Sequence, residues 1–160
     1  MSELKLPSVG EKAPDFSALD QNGSVHTLAD FKGSFLLLYF YPKDDTPGCT
    51  KEACNFRDAF ADLKKFGVAI IGVSVDSVKS HKKFAEKYHL TFPLLADEDK
   101  SIVHAYGVWG KRTFAGISYE GIARTSFLID GKGVIRKVYE KVKPNEHAGE
   151  ILKDVKELQS

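Results

Sequence analysis

The chain has 160 residues, of which 42% are hydrophobic and 28% charged, with 23 basic residues against 22 acidic ones. This composition excludes a disordered chain, and the length predicts a single globular domain spanning residues 1–160. The balanced charge leaves no electrostatic footprint for nucleic acid or an anionic membrane, so we expect neither as a partner.

The ends and apolar runs of the sequence bear on location. No apolar run approaches the roughly 20 residues that a membrane-spanning helix needs. Residues 1–16 lack the apolar core of a secretory signal, and they carry acidic residues that transit peptides avoid. We therefore expect a cytoplasmic protein, in which the two cysteines either cycle between redox states or remain inert thiols.

The first third of the chain predicts a hairpin, a buried strand and a helix. Two short strands flank Asn22-Gly23, a hairpin turn signal. Residues 34–42 form an apolar run without alternation, which is typical of a strand covered on both faces. Apolar residues then recur at steps of three and four from Ala53 to Phe66, which predicts an amphipathic helix ending at Gly67.

The rest of the chain continues the alternation of strands and helices. The pattern predicts a strand at 68–76, a helix at 77–90, a short strand at 92–97, a short helix at 100–108, a hairpin at 125–139 and a C-terminal helix. Such an order indicates an α/β sandwich with a mixed sheet. Ligands of these folds gather beyond the carboxyl ends of the strands, and Cys49 falls at such an end.

Cys49 lies where a helix is predicted to begin. Thr46 is a suitable N-cap residue, and Pro47 suits the first helical position because its missing N–H is not needed there. Cys49 is thus expected in the first turn, where free backbone N–H groups and the helix dipole favour an anion, here a reactive thiolate. Gly48 lets a ligand approach the backbone closely.

Three less reactive interpretations of the cysteine pair stay open. Both cysteines could be buried small hydrophobes, inert as thiols. A structural zinc site is disfavoured because there are only two cysteines and five scattered histidines. A copper carrier with two cysteines and a distant histidine is the remaining alternative.

The spacing of Cys49 and Cys54 constrains any redox cycle. On a regular α-helix, residues five apart have Cα atoms about 8.7 Å from each other. A disulfide requires Cα atoms within roughly 4.4–6.8 Å. The two sulfurs can therefore bond only if the first turns of the helix unwind.

The segment PKDDTPGC, from Pro42 to Cys49, resembles the peroxiredoxin active-site pattern P-x-x-x-T-x-x-C. The continuation TKEAC resembles the peroxiredoxin Q branch, also called bacterioferritin comigratory protein, whose second cysteine lies five residues on. Similarity also includes GEKAPDFSALDQNG, FPLLAD, YGVWG and ARTSFLID. The resemblance implies a thioredoxin-like fold, with a central mixed β-sheet flanked by helices and an N-terminal β-hairpin. It also implies peroxide reduction without metal or organic cofactor.

The resemblance also assigns roles to residues. It implies a peroxidatic thiolate at Cys49 that becomes a sulfenic acid, and a resolving Cys54 that forms a disulfide with it. Thr46 would donate a hydrogen bond to the peroxide, Arg124 would stabilise the thiolate and orient the substrate, and Pro42 would shield the site. The substrates would be hydrogen peroxide and organic hydroperoxides, the reductant thioredoxin or a similar dithiol, and the protein a monomer.

Several neighbouring residues have two interpretations each. Glu52 either pairs with Arg124 or lies on a solvated face of the helix. Tyr106 and Trp109 either line the pocket or belong to the core, which we favour, and His104 is expected to be structural or exposed.

Overall fold

A computed structural model describes residues 5–159, so both ends of the predicted domain, residues 1–4 and residue 160, lie outside the described residues. The helices are α1 (Pro47–Lys65), α2 (Val78–Tyr88), α3 (Ser101–Ala105) and α4 (His147–Gln159). The strands are β1 (Ser17–Leu19), β2 (Val25–Thr27), β3 (Phe35–Phe40), β4 (Val68–Ser74), β5 (Leu94–Ala96), β6 (Trp109–Phe114), β7 (Ile117–Ile122), β8 (Thr125–Ile129) and β9 (Ile135–Tyr139).

The central sheet is mixed, as the sequence predicts. Its five strands lie in the order β5-β4-β3-β8-β9. Strand β3 runs parallel to β4 and antiparallel to β8, and β4 runs parallel to β5. The middle strand, β3, is buried on both faces, which explains its unbroken apolar sequence.

Two hydrophobic cores cover the faces of this sheet, because successive side chains of a strand point to opposite sides. Leu37 and Tyr39 pack in the core formed with α1, α2 and α4. Leu36, Leu38 and Phe40 pack in the other core, which includes Ile102 and Val103 of α3. The thioredoxin-like arrangement of a mixed sheet flanked by helices is therefore confirmed.

Two hairpins lie outside the central sheet. Strands β1 and β2 pair antiparallel around the turn containing Asn22-Gly23, as predicted. Strands β6 and β7 form a second antiparallel hairpin that the sequence did not indicate. Its turn is made by Ala115 and Gly116, both with positive φ.

The register of the sheet places Arg124 beside the start of α1. Strand β3 ends at Phe40, which pairs with Thr125, the first residue of β8. Arg124 therefore arrives next to the loop that leads from β3 into α1. Among residues 5–159, no helix combines the length and apolar character required to cross a membrane.

Candidate active site

Helix α1 begins where the sequence predicts. Thr46 is the N-cap residue, with extended φ and ψ of −95° and 157°, and Pro47 is the first helical residue. The Thr46 side chain, however, does not cap the helix; its hydroxyl donates a hydrogen bond to the Lys43 carbonyl at 2.9 Å. Cys49 lies in the first turn, where backbone N–H groups lack partners within the helix.

Cys49, Glu52 and Arg124 form one contiguous cluster. Nη2 of Arg124 lies 3.2 Å from Sγ of Cys49, and Nη1 of Arg124 lies 2.7 Å from Oε1 of Glu52. Cys49 is 1% exposed and Glu52 is fully buried. Glu52 is buried because it follows Cys49 by three residues and precedes Phe56 by four, on the apolar face of α1. Of the two interpretations of Glu52, the structure shows the ion pair.

Gly48 makes room for the guanidinium group. A Cβ atom at this position would lie 3.1 Å from Nη2 of Arg124. The close approach that the sequence assigns to Gly48 is thus made by the arginine side chain. A larger residue would press on the nitrogen that contacts the Cys49 sulfur.

Burial and charge oppose each other in this cluster. Desolvation raises the pKa of Glu52 to about 7, although the charge and hydrogen bond of Arg124 act to lower it. For Arg124, burial acts against the charged form, but the acidic groups Glu52 and Cys49 outweigh it and raise the pKa. The guanidinium is therefore a fixed cation facing two acidic groups.

Tyr39 adds a buried hydroxyl near these groups. Burial, with the nearby acidic groups Glu52 and Cys49, raises its pKa well above the ordinary value. Gly72 on the neighbouring strand accommodates the phenol, since a Cβ there would lie 2.8 Å from Cζ of Tyr39. The Tyr39 hydroxyl and Oε2 of Glu52 are buried without a hydrogen-bond partner among the described residues. No sequence pattern singled out Tyr39 beyond its place in an apolar strand.

The structure keeps the two cysteines apart. Both are free thiols on one continuous helix, with Cys49 buried and Cys54 half-buried. Cys54 is not part of either hydrophobic core, in contrast to Cys49, Ala53 and Phe56. The geometric constraint derived from the spacing thus applies to α1 as it stands.

The remaining candidate residues lie around this cluster or away from it. Pro42 follows β3 and is exposed. Tyr106 is a core residue whose hydroxyl donates to the Pro14 carbonyl at 2.7 Å. Trp109 packs at the edge of the same core, and His104 is exposed. The core interpretation of Tyr106 and Trp109 is therefore the one that the structure supports.

Sequence reasoning missed a second polar cluster beside the same loop. Within residues 5–159, one group of three potential metal ligands occurs, formed by Asp44, Asp76 and His81. This group contains neither Cys49 nor Cys54, so it does not support the interpretation of the two cysteines as copper ligands. Asp44 and His81 lie 37 positions apart, which explains why no local pattern joined them.

Comparisons with known proteins identify the family of the chain. Residues 9–138 match the AhpC/TSA family. The chain is 47% identical to peroxiredoxin Bcp of Escherichia coli over 157 residues, which cover 98% of this chain and 99% of that protein. It is 44% identical to peroxiredoxin Bcp of Bacillus subtilis over 150 residues, covering 94% and 96% of the two proteins.

Solved structures give the same result. A cysteine-to-serine variant of Xylella fastidiosa PrxQ superposes with a TM-score of 0.90 at 32% identity, covering all of both chains. A Xanthomonas campestris bacterioferritin comigratory protein, studied for its alkyl peroxide reduction activity, has a TM-score of 0.85 at 35% identity over 98% of each chain. The chain therefore belongs to the AhpC/TSA family and to its Bcp/peroxiredoxin Q branch, and it is a thiol peroxidase that takes a peroxide substrate and a thiol reductant.

Proposed function

We propose that the chain reduces hydrogen peroxide and organic hydroperoxides through a thiolate at Cys49, and that Cys54 resolves the oxidised Cys49 as an intramolecular disulfide. The observation that carries the proposal is the contact of 3.2 Å between Nη2 of Arg124 and Sγ of Cys49 in the first turn of α1. The guanidinium and the helix dipole both stabilise negative charge on this sulfur.

The first step is attack by the Cys49 thiolate on one peroxide oxygen. The S–O bond forms as the O–O bond breaks, and the departing oxygen takes up the electron pair and then a proton, leaving as water or an alcohol. Arg124 and the free N–H groups of the first turn are placed to bind the oxygen atoms while this charge develops. The Thr46 hydroxyl joins them by exchanging its bond to the Lys43 carbonyl for one to the peroxide. Pro42, at the outer side of the loop, limits the access of water.

The second step joins the two cysteines. The Cys54 thiol attacks the sulfenic acid of Cys49, the S–S bond forms, and the hydroxyl leaves as water. Because α1 separates the sulfurs, its first turns must unwind before this step. Helix ends open at a lower free energy than the core, so the rest of the fold stays intact.

The third step returns the enzyme to its reduced form. A dithiol of the thioredoxin type reduces the Cys49–Cys54 disulfide by thiol–disulfide exchange, and its own cysteines become the disulfide. We propose thioredoxin as this partner, a monomer as the working form, and the cytoplasm as the site of action. Formation of the disulfide within one chain fits a monomer, since no second subunit is required.

A coupled assay tests this function. Thioredoxin, thioredoxin reductase and NADPH are supplied with hydrogen peroxide or cumene hydroperoxide, and the consumption of NADPH is followed. Wild-type protein should turn over with both peroxides, and Cys49→Ser should not. Cys54→Ser should consume one equivalent of peroxide and then stall. Full turnover by Cys49→Ser would refute the proposed mechanism.

A further inference from the structure

The loop from Tyr41 to Thr46, called here the active-site loop, is fastened by a buried aspartate. The carboxylate of Asp44 accepts hydrogen bonds from the Tyr41 hydroxyl at 2.6 Å and the Ser80 hydroxyl at 2.7 Å. It also lies 2.7 Å from Nδ1 of His81, and the Asp44 backbone N–H donates to Asp76 at 2.9 Å. Asp44 is 8% exposed. A residue outside any helix or strand is thus fixed by Tyr41 at the start of the loop, by α2 and by the loop after β4.

The ring of His81 is held on both of its nitrogens. It is fully buried, and Nε2 lies 2.9 Å from the Leu95 carbonyl. Nδ1 lies 2.7 Å from an oxygen of the Asp44 side chain. Because buried polar groups left without a partner are costly, removing either Asp44 or His81 should strongly disfavour this arrangement.

A second, exposed attachment lies one residue further along the loop. Asp45 has a positive φ of 58°, which is uncommon for a residue other than glycine. Its carboxylate accepts hydrogen bonds from Nζ of Lys87 at 2.8 Å and the Tyr88 hydroxyl at 2.7 Å. Both partners are on α2 or at its end, as is His81. The loop is therefore tied to α2 at two consecutive residues immediately before Thr46.

We propose that Asp44 and His81 form a latch that holds the active-site loop against α2 and so controls the opening of α1. The inference rests on the proposed function, because it assigns to this pair the control of the step in which Cys54 reaches Cys49. Neither residue touches the reacting atoms; both act by positioning the chain that leads into the first turn.

The physical basis of the latch is the conformational entropy that the chain gains when the first turn of α1 unwinds. When the first turn of α1 unwinds, the disordered segment cannot extend towards the N-terminus, because the loop there is held by the latch. While the latch is closed, Asp44 and Asp45 stay ordered and opening gains little conformational entropy. When it is broken, opening extends back to Tyr41, and the unwound state becomes more populated.

The effect on α1 is tested by hydrogen exchange in variants. Asp44→Asn and His81→Gln break the pair, and Ser80→Ala removes one donor with little change in volume if the first two fold poorly. The amides of residues 49–54 should exchange about tenfold faster or more relative to those of β3, as the loss of a hydrogen bond to a charged group implies. Equal acceleration in α1 and β3 would mean general destabilisation and would overturn the proposal.

The matched control is Asp20→Asn in the β1–β2 hairpin. Asp20 and His26 also form a carboxylate–histidine pair at 2.7 Å, and Asp20 is likewise buried. This variant should leave the exchange of residues 49–54 relative to β3 unchanged. Acceleration of α1 by Asp20→Asn equal to that by Asp44→Asn would contradict a latch specific to the loop.

Kinetics then separate the latch from the proposed function. In the latch variants, disulfide formation after oxidation of Cys49 should be faster, while the initial reaction of Cys49 with peroxide should be unchanged or slower. A slower disulfide step would overturn the latch. If wild-type protein formed no Cys49–Cys54 disulfide, the proposed function would fail, whereas the hydrogen-exchange results would still decide the latch.

Discussion

The guanidinium of Arg124 lies against the sulfur of Cys49, with Nη2 and Sγ 3.2 Å apart. The same side chain is fixed on its other side by the buried carboxylate of Glu52, 2.7 Å from Nη1. A planar fork presents separate nitrogens to the two groups in a fixed geometry, whereas an ammonium group is a compact point charge on a flexible stem. The position of Arg124 is thus determined by a residue that itself does not touch the sulfur.

The first prediction concerns this fork. Arg124→Lys keeps the positive charge but loses the bidentate geometry, so the reaction of Cys49 with peroxide should slow on the order of 10²-fold. Single-turnover kinetics of Cys49 oxidation measure the rate. Arg136→Lys is the control, because Arg136, in β9, forms a half-exposed ion pair with Asp130. An unchanged rate for Arg124→Lys would show that charge alone is sufficient.

The second prediction concerns the effect of Glu52 on how the free energy of unfolding depends on pH. Its pKa is about 7 in the folded protein against an ordinary 4.5. The folded protein thus keeps a proton that the unfolded chain releases, and its free energy of unfolding should fall by about 3 kcal/mol as pH rises through this window. Glu52→Gln should flatten the profile.

Urea unfolding at a series of pH values measures the Glu52 effect. Glu98→Gln serves as control, since Glu98 is exposed. The quantity to compare is the slope of the free energy of unfolding between pH 4.5 and 7. Glu52→Gln also changes the partner of Arg124, but that effect is present at every pH and does not alter the slope. Parallel profiles for wild type and Glu52→Gln would contradict the assignment of this proton to Glu52.

The third prediction concerns the space beside the arginine. In Gly48→Ala the new Cβ would lie 3.1 Å from Nη2 of Arg124 and should displace the guanidinium from the sulfur. Because even a small misplacement of a catalytic group reduces the rate strongly, the reaction with peroxide should slow about tenfold or more. Gly149→Ala in α4 is the control, since a Cβ there meets nothing within 4 Å.

Both glycine variants should fold, and only Gly48→Ala should lose activity. Gly149→Ala should gain about 0.5–1 kcal/mol of stability at unchanged activity, as expected for glycine in a helix. Thermal unfolding and single-turnover rates of both variants provide the comparison. Full activity in Gly48→Ala would show that Arg124 tolerates the added methyl group without losing its contact.

The fourth prediction tests whether the Thr46 hydroxyl takes part in the reaction. Thr46→Val removes the bond to the Lys43 carbonyl and the proposed bond to the peroxide, whereas Thr46→Ser keeps both. The Val variant should react with peroxide on the order of 10²-fold more slowly, as for loss of one transition-state donor. The Ser variant should stay near wild type. Equal rates for the Val variant and wild type would remove Thr46 from the mechanism.

Much of the fold was predictable because burial leaves periodic patterns. The apolar run of β3 and the spaced apolar residues of α1 both report contact with a core, and both elements lie where the pattern indicates. The β6–β7 hairpin was missed for the opposite reason. Most of β7 is exposed, and its turn is Ala115-Gly116, which lacks the usual Asn-Gly signal.

The site was predictable only where it is local. Thr46, Pro47 and Cys49 follow from helix-start chemistry, and the burial of Glu52 could have been found from its place on the apolar face of α1. Arg124 depends on the pairing of β3 with β8, which no short pattern encodes, so only the family resemblance indicated it. The contact between Asp44 and His81 was missed because it is a long-range polar contact.

The most direct test of resolution by Cys54 is the intact mass of the wild-type protein after one equivalent of hydrogen peroxide. A single chain should lose two hydrogens, as the Cys49–Cys54 disulfide requires. A stable gain of one oxygen, or a mass of two linked chains, would contradict the claim that Cys54 reaches Cys49 by local unwinding of α1.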